Sequence, residues 1–375
     1  MYSPRFSDSL ISVTHTEACI ALNMIPRIGP VRIRKLLDFF GTPESILAAP
    51  HSQLEKVSGL GPEAAREVAH WQEKVDLPAE LERIRDFGAH VITQADSTYP
   101  PLLREIHDPP TVLYVWGELL EKDQHAIGVV GSRKTTHYGI ESSRKLSYQL
   151  AYSGLTVISG LARGIDTAAH QGALAAKGRT VAVIGGGLEF LYPPENRELA
   201  ERIAAGQGAI VSEFSMRVQP DRQSFPMRNR IISGWSFGTL VVEAGLNSGA
   251  LISANMALEQ GRTVYAVPGP IDRPNSMGSN KLIQQGAKLV MDASDILDEL
   301  GTLFRHEPEL IRSAPVDLSP EQEKVYHAIT DSETAIDRIV SQSGLPTGQV
   351  LSTLLTLEMK RLVKQLPGQR FVKLL

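Results

Sequence analysis

At 375 residues the chain has room for two or three domains, and its 42% hydrophobic and 21% charged content is that of a globular protein with a sizeable core. A formal net charge of −4 excludes a surface that is basic overall, so any anion site must come from local clusters of cations. The lone cysteine, Cys19, excludes an internal disulfide framework, and with no leader peptide and no apolar run of roughly 18 to 20 residues we expect a cytoplasmic protein.

Residues 1–14 read as a polar leader. A helix is expected from Thr16, its cap, with Cys19, Ile20, Leu22 and Met24 as apolar positions. Two related stretches follow, Ile25-Pro26-Arg27-Ile28-Gly29-Pro30 and Val57-Ser58-Gly59-Leu60-Gly61-Pro62. Each reads as helix, glycine turn and helix, with proline just inside the second helix where its missing N–H costs nothing. The pair resembles a tandem helix-hairpin-helix unit of the SAM-like kind, whose turn amides grip a nucleic-acid backbone without reading bases. Arg27, Arg32, Arg34 and Lys35 surround the first hairpin, whereas Glu63 and Glu67 flank Arg66 in the second. If either touches DNA, it is the first. Packing or partner docking is the competing reading, because residues 1–80 carry eight basic and ten acidic side chains. This module is assigned to residues 1–79.

From 80 to 125 we expect a helix (81–87), a strand (89–93), a proline-rich passage and a second strand (111–116). Strands at 126–131, 155–159, 179–185, 209–213, 239–243, 263–267 and 289–292 then alternate with helices. Runs such as Val181-Ala182-Val183-Ile184 lack polar alternation, as expected of parallel strands covered on both faces. The fold class is therefore α/β: residues 80–300 form a doubly wound, mostly parallel, Rossmann-like sheet.

Ligands of such a sheet gather outside the carboxyl ends of its strands. The first strand end, within Ala126 to Gly139, pairs a glycine turn with a helix N-terminus, so its amides should face an anion beside Arg133 and Lys134. Later strand ends contribute Arg163-Gly164, Gly185-Gly186-Gly187, Tyr192 to Arg197, and Phe225 to Arg230. Glycines, arginines and aromatics together suggest a composite polyanion surface. No G-x-G-x-x-G or G-x-x-x-x-G-K-[ST] loop is present, so NAD and ATP are not expected and no cofactor is assigned. Asp166 and His170, four apart on a helix, are weighed as metal ligands but lack companions, and capping favours Asp166 as structural. Glu243 is weighed as a general base and expected instead to pair with Arg228 or Arg230.

The series VVGSRKTTHYG, ISGLARGIDTAAHQGAL, YPPEN, SFPMRNRIISG, VVEAGLNSGALISANMA and AVPG, in this order over residues 80–300, resembles the DNA-processing protein A family (DprA, also called Smf). The resemblance implies a non-enzymatic protein that binds single-stranded DNA, forms a homodimer and helps load the RecA recombinase in natural transformation. It implies a DNA pocket at Gly131, Ser132 and Arg133; Lys134, Arg163, Gly164, Asn196, Arg197, Phe225, Arg228, Asn229 and Arg230 complete the expected site. Pro194 and Glu195 stand where some members carry a lysine, with Arg197 as the possible substitute. Tyr192 and Phe225 would stack bases, giving salt-sensitive binding with little sequence preference. The alternative is a phosphoribohydrolase of the LOG family, which uses a Pro-Gly-Gly-x-Gly-Thr-x-x-Glu run opening a helix. Here Gly238-Thr239 precedes Glu243 by one residue too many and reads as a strand.

Residues 301–317 read as a linker, and 318–375 as a winged-helix module with Thr347 to Leu357 as its recognition helix. That helix offers no cation before Lys360. Lys360, Arg361, Lys364, Arg370 and Lys373 gather at its end and in the wing, so a protein contact or weak backbone contact is favoured over duplex reading.

Overall fold

The computed structural model describes residues 13–301, 318–330, 334–359, 362–366 and 370–373. They fall into two compact units, divided at 303/304. The expected linker and most of the polar leader lie outside the described residues, as do Lys360 and Arg361.

The first unit opens with seven helices: α1 (His15–Met24), α2 (Pro30–Phe40), α3 (Pro43–Leu47), α4 (His51–Leu54), α5 (Pro62–Ala69), α6 (Trp71–Lys74) and α7 (Leu77–Phe87). Thr14, not Thr16, caps α1. Its backbone N–H donates to Glu17 Oε2 at 2.8 Å while its hydroxyl accepts from the Glu17 N–H, a reciprocal box that a start at Thr16 would lack. The glycine turns lie where the repeat places them, with Pro30 and Pro62 each at the start of a second helix. Gly59 and Gly61 have φ of 78° and 74°, backbone that a side chain would strain.

This helical module is not a separate bead. Ile20, Leu22, Ile33 and Leu54 share one buried cluster with Val112, Tyr114, Ile184 and Met216 of the sheet domain. Polar clamps reinforce it: Asn23 Nδ2 donates to the Glu213 carbonyl at 2.8 Å, and the buried Glu80 carboxylate accepts from the Met216 N–H at 2.7 Å.

After β1 (His90–Thr93), α8 (Pro101–Arg104) and β2 (Val112–Gly117), strand and helix alternate. They run β3 (Ala126–Val130), α9 (His137–Tyr152), β4 (Thr156–Ser159), α10 (Ile165–Ala175), β5 (Thr180–Val183), α11 (Arg197–Arg202) and β6 (Gly208–Ser212). Next come α12 (Ser224–Trp235), β7 (Gly238–Val241), α13 (Gly249–Glu259), β8 (Thr263–Ala266), α14 (Met277–Gln284), β9 (Lys288–Leu289) and α15 (Ser294–Leu300). The sheet order is β1-β2-β6-β5-β4-β3-β7-β8-β9. Strands β3 to β9 pair in parallel, and β1 and β2 add an antiparallel edge against β6. Every residue of β3 to β7 is buried, as their unbroken apolar runs require. The opposite face packs Leu103, Ile231, Trp235 and Ala254 over Val130, Val183 and Val241.

The second unit contains α16 (Pro320–His327), β10 (Thr334–Ala335), α17 (Ile336–Ser343), α18 (Thr347–Met359), β11 (Val363–Leu366) and β12 (Arg370–Lys373). The strands form an antiparallel sheet in the order β10-β12-β11 over Val325, Ile339, Leu354 and Phe371. This is the winged-helix arrangement. Among the described residues no helix is long and apolar enough to cross a membrane.

Candidate nucleic-acid interface

From β3 the chain winds one way through β4, β5 and β6, and later the other way through β7, β8 and β9. The neighbours β3 and β7 therefore form the topological switch of the sheet, where a crevice must open at the carboxyl ends. A cleft of about 790 Å³ lies there. Gly131 to Lys134 line one side, Phe225, Arg228 and Asn229 another, and the Gly245 to Ser248 loop a third.

The turns that build this cleft are nested. A Cβ at Gly131 would stand 2.4 Å from Ile165 Cγ1, and one at Gly164 would stand 2.4 Å from the Ser132 carbonyl. Gly164 also holds φ at 80°. Both positions require glycine for close approach of the β3–α9 and β4–α10 turns.

Part of the expected anion cradle at α9 is taken up by the protein itself. The Ser132 N–H donates to the Glu243 carbonyl at 2.7 Å. The buried Glu243 carboxylate accepts from the Thr136 N–H and hydroxyl, both at 2.8 Å, and from the Thr135 hydroxyl. Thr136 in turn caps α9. The protein's own carboxylate thus occupies the favourable end of this helix. It pairs with neither Arg228 nor Arg230, contrary to expectation, because the α9 entry supplies three donors within its reach. The stretch Gly238-Thr239-Leu240-Val241 is strand β7, not the opening of a helix.

Side-chain charge lies instead on aromatic rings: Arg133 and Phe225 at the cleft, and Arg163 and Tyr192 beside them, outside the residues that line it. The exposed Arg133 guanidinium lies 4.7 Å from the Phe225 ring centre, and Tyr192 lies 6.0 Å from Phe225. Arg163 sits 5.5 Å from the Tyr192 ring centre, donates from Nη1 to the Tyr192 hydroxyl at 3.1 Å, and forms a two-pronged ion pair with Glu195. That pair raises the Arg163 pKa through its hydrogen bonds and lowers that of Glu195.

The loop carrying Arg163 is braced from beneath. Asp166 Oδ2 accepts from the Gly160 and Ala162 N–H groups at 3.1 and 3.3 Å. His170 Nε2 accepts from the Leu161 N–H at 3.3 Å, and its Nδ1 is 2.7 Å from the Thr180 hydroxyl, which donates to the Val157 carbonyl. Burial holds the His170 pKa down at about 3, keeping it neutral, and raises that of Asp166 against the opposing pull of Arg228. Asn196 Nδ2 donates to the Leu161 carbonyl and the Thr167 hydroxyl, both at 2.8 Å. Asn196 is therefore part of the brace and is buried. Asp166 and His170 are spent on backbone, and among the described residues no group of three metal-ligating side chains occurs.

Two expected arginines are placed elsewhere. Arg230 is buried with Nη2 on both Glu213 oxygens at 2.7 and 2.6 Å and Nε 3.0 Å from Asp108. Arg197 projects from α11 and pairs with Glu201 at 3.2 Å, outside the residues lining the cleft, so it does not replace the missing lysine. Arg228 lines the cleft yet is only 3% exposed. It donates to the Val183 carbonyl, its Nε has no partner in the structure, and burial pushes its pKa down to about 10. The sequence reading missed Arg222, which also lines the cleft. Its signal was the arginine-rich passage before Ser224.

The hairpin cations are largely engaged within the first unit. Arg27 pairs with Glu63 of the second hairpin, Arg32 donates to the Arg27 carbonyl, and Arg34 donates to the His107 carbonyl at 3.0 Å.

Comparison with known proteins agrees with this architecture. The family described as DNA recombination-mediator protein A matches residues 90–301, the DprA winged helix domain matches 308–369, and the SAM-like helix-hairpin-helix tandem matches 20–69. Protein Smf of Synechocystis sp. is 35% identical over 94% of this chain and 97% of its own, and Protein Smf of Escherichia coli is 41% identical over 74% and 76%. The X-ray structure of DprA from Streptococcus pneumoniae superposes with a TM-score of 0.67 at 35% identity, covering 76% of this chain and 98% of that one. DNA processing protein A from Helicobacter pylori, described for its single-stranded DNA binding mode, gives 0.51 at 26% identity over 58% and 97%. With one family spanning more than half of the chain and a relative matched almost end to end, this protein belongs to the DNA recombination-mediator protein A (DprA/Smf) family.

Proposed function

We propose that this protein binds single-stranded DNA along the carboxyl ends of strands β3 to β7, acts as a homodimer, and helps load the RecA recombinase without catalysing a bond change itself. The observation that carries the reading is the run of cation-on-ring pairs that starts at the switch point with Arg133 over Phe225 and continues beside it with Arg163 over Tyr192. Such a surface takes bases on its rings and phosphates on its guanidinium groups without sequence readout. The DNA contacts proposed are Gly131, Ser132, Arg133, Lys134, Arg163, Phe225, Arg228 and Asn229. Gly164 and Asn196 shape their loops. Non-catalytic action is supported by the employment of Glu243, Asp166 and His170 as caps and braces. Dimerisation and the RecA role rest on family membership and on the resemblance of the motifs.

Titration of fluorescent oligo-dT by anisotropy tests the binding. Affinity should fall with salt at a slope of about 0.7 per neutralised phosphate. Salt-insensitive binding, or undiminished binding by Arg133→Ala, overturns the site. RecA filament formation on the same oligonucleotide, with and without the protein, tests loading, and sedimentation equilibrium tests the dimer.

A further inference from the structure

We propose that Glu195 is an internal competitor for the DNA backbone: it occupies the fork of Arg163 that a phosphate takes over on binding, and so sets the affinity of the site. The inference rests on the single-strand reading above. Arg163 presents Nε and Nη2 to the two carboxylate oxygens of Glu195, with Nη2 at 3.1 Å from Oε2. This is the parallel two-bond geometry with which a guanidinium also grips a phosphate. The third guanidinium nitrogen is held by the Tyr192 hydroxyl, and the loop beneath is pinned by Asp166, His170 and Asn196. The guanidinium is thus fixed over the Tyr192 ring in the line that continues from Phe225, with its best donor edge closed by a carboxylate.

The other cation of that line differs. Arg133 makes no ion pair among the described residues, so its charge is available to DNA directly. Arg163 is available only by exchange. Both members of its pair are half exposed, at 49% and 51% of the side chain, so water reaches the carboxylate and Glu195 has space to swing out. An exposed pair of this kind is weak, which makes the exchange feasible. Once displaced, however, the Glu195 charge stays next to the incoming phosphates and opposes them. The strand is therefore held less tightly than the count of arginines suggests, in a form that is ready to be given up.

The test uses full-length wild type, Glu195→Gln, Arg163→Gln and the double variant, titrated into labelled oligo-dT at about 0.1 M salt and above. Glu195→Gln should bind about 1.5- to fivefold more tightly than wild type, the scale of one exposed ion pair. Its log affinity should fall more steeply with log salt, by about 0.7, because one more arginine now displaces counterions rather than a carboxylate. In the Arg163→Gln background the same substitution should gain little. Gains of equal size in both backgrounds would reduce Glu195 to one negative charge among many and overturn the competitor role, as would wild-type binding that Glu195→Gln leaves unchanged or weakens. Absence of salt-sensitive binding by wild type and Glu195→Gln alike overturns the single-strand reading and the competitor with it.

Discussion

Arg228 and Arg230 stand two apart on α12, and residues so spaced on a helix face different directions. Arg228 turns toward the cleft and Arg230 away from it, into two carboxylates. We predict that Arg230→Ala destabilises the fold by about 3–5 kcal/mol, because it leaves Glu213 charged and unpaired in the interior. Burial already holds Glu213 above its ordinary 4.5, against the pull of Arg230. Its ionised form therefore costs stability at neutral pH, and that cost vanishes below about 4.5. The deficit of Arg230→Ala should consequently shrink on acidification, as urea unfolding at pH 7 and pH 4 would show. Phe225→Ala should leave stability intact and cost about 1–3 kcal/mol of oligo-dT binding, read by anisotropy. His170, held near 3 rather than 6.5, supplies stability that is complete above pH 6.5 and is lost as the pH falls toward 3. Relative to His170→Gln, wild type should lose about 2 kcal/mol between pH 7 and pH 5, measured by the same unfolding method.

At the scale of elements, the nested glycine turns decide how accurately Arg133 is aimed. Gly164→Ala would place a methyl 2.4 Å from the Ser132 carbonyl at a φ of 80°. We predict a loss of about 1–3 kcal/mol in stability and weaker DNA binding, because the Ser132-Arg133 turn must shift. Gly29→Ala, with nothing within 4 Å and an ordinary φ, is the control: it should lose only the smaller stability of a poorer N-cap on α2 and leave DNA binding unchanged. Helix and strand identities were legible because unbroken apolar runs mark buried parallel strands. Helix α1 shows the limit: both Thr14 and Thr16 are plausible caps, and only Glu17 reaching back to Thr14 chooses between them. The role of Glu243 was illegible for a similar reason. Its donors, Thr135 and Thr136, lie more than one hundred residues away in sequence and meet it only across β3 and β7.

For the whole molecule, the second unit contains a winged helix whose helix α18 exposes Leu351 and Leu355 rather than cations. A chain ending at 315 should keep wild-type affinity and salt slope for oligo-dT. A loss of single-strand binding on that truncation, measured by anisotropy, would move the site to the second unit. The helical module and the sheet behave as one body, since Ile20 and Leu54 share a core with Tyr114 and Ile184.

The sequence by itself determined the order of elements, the parallel sheet, the glycine turns and the group of motifs that names the family. These are carried by local pattern: periodicity, glycine and proline placement, and apolar runs. Only the tertiary structure decided which charges are available. Arg133 faces the cleft, Arg163 is shared with Glu195, Arg230 is buried, and Glu243 closes the helix end that the first strand turn had promised to an anion. Charge availability depends on which distant carboxylate each cation meets, and that is fixed by the stacking of strands rather than by neighbours in the chain.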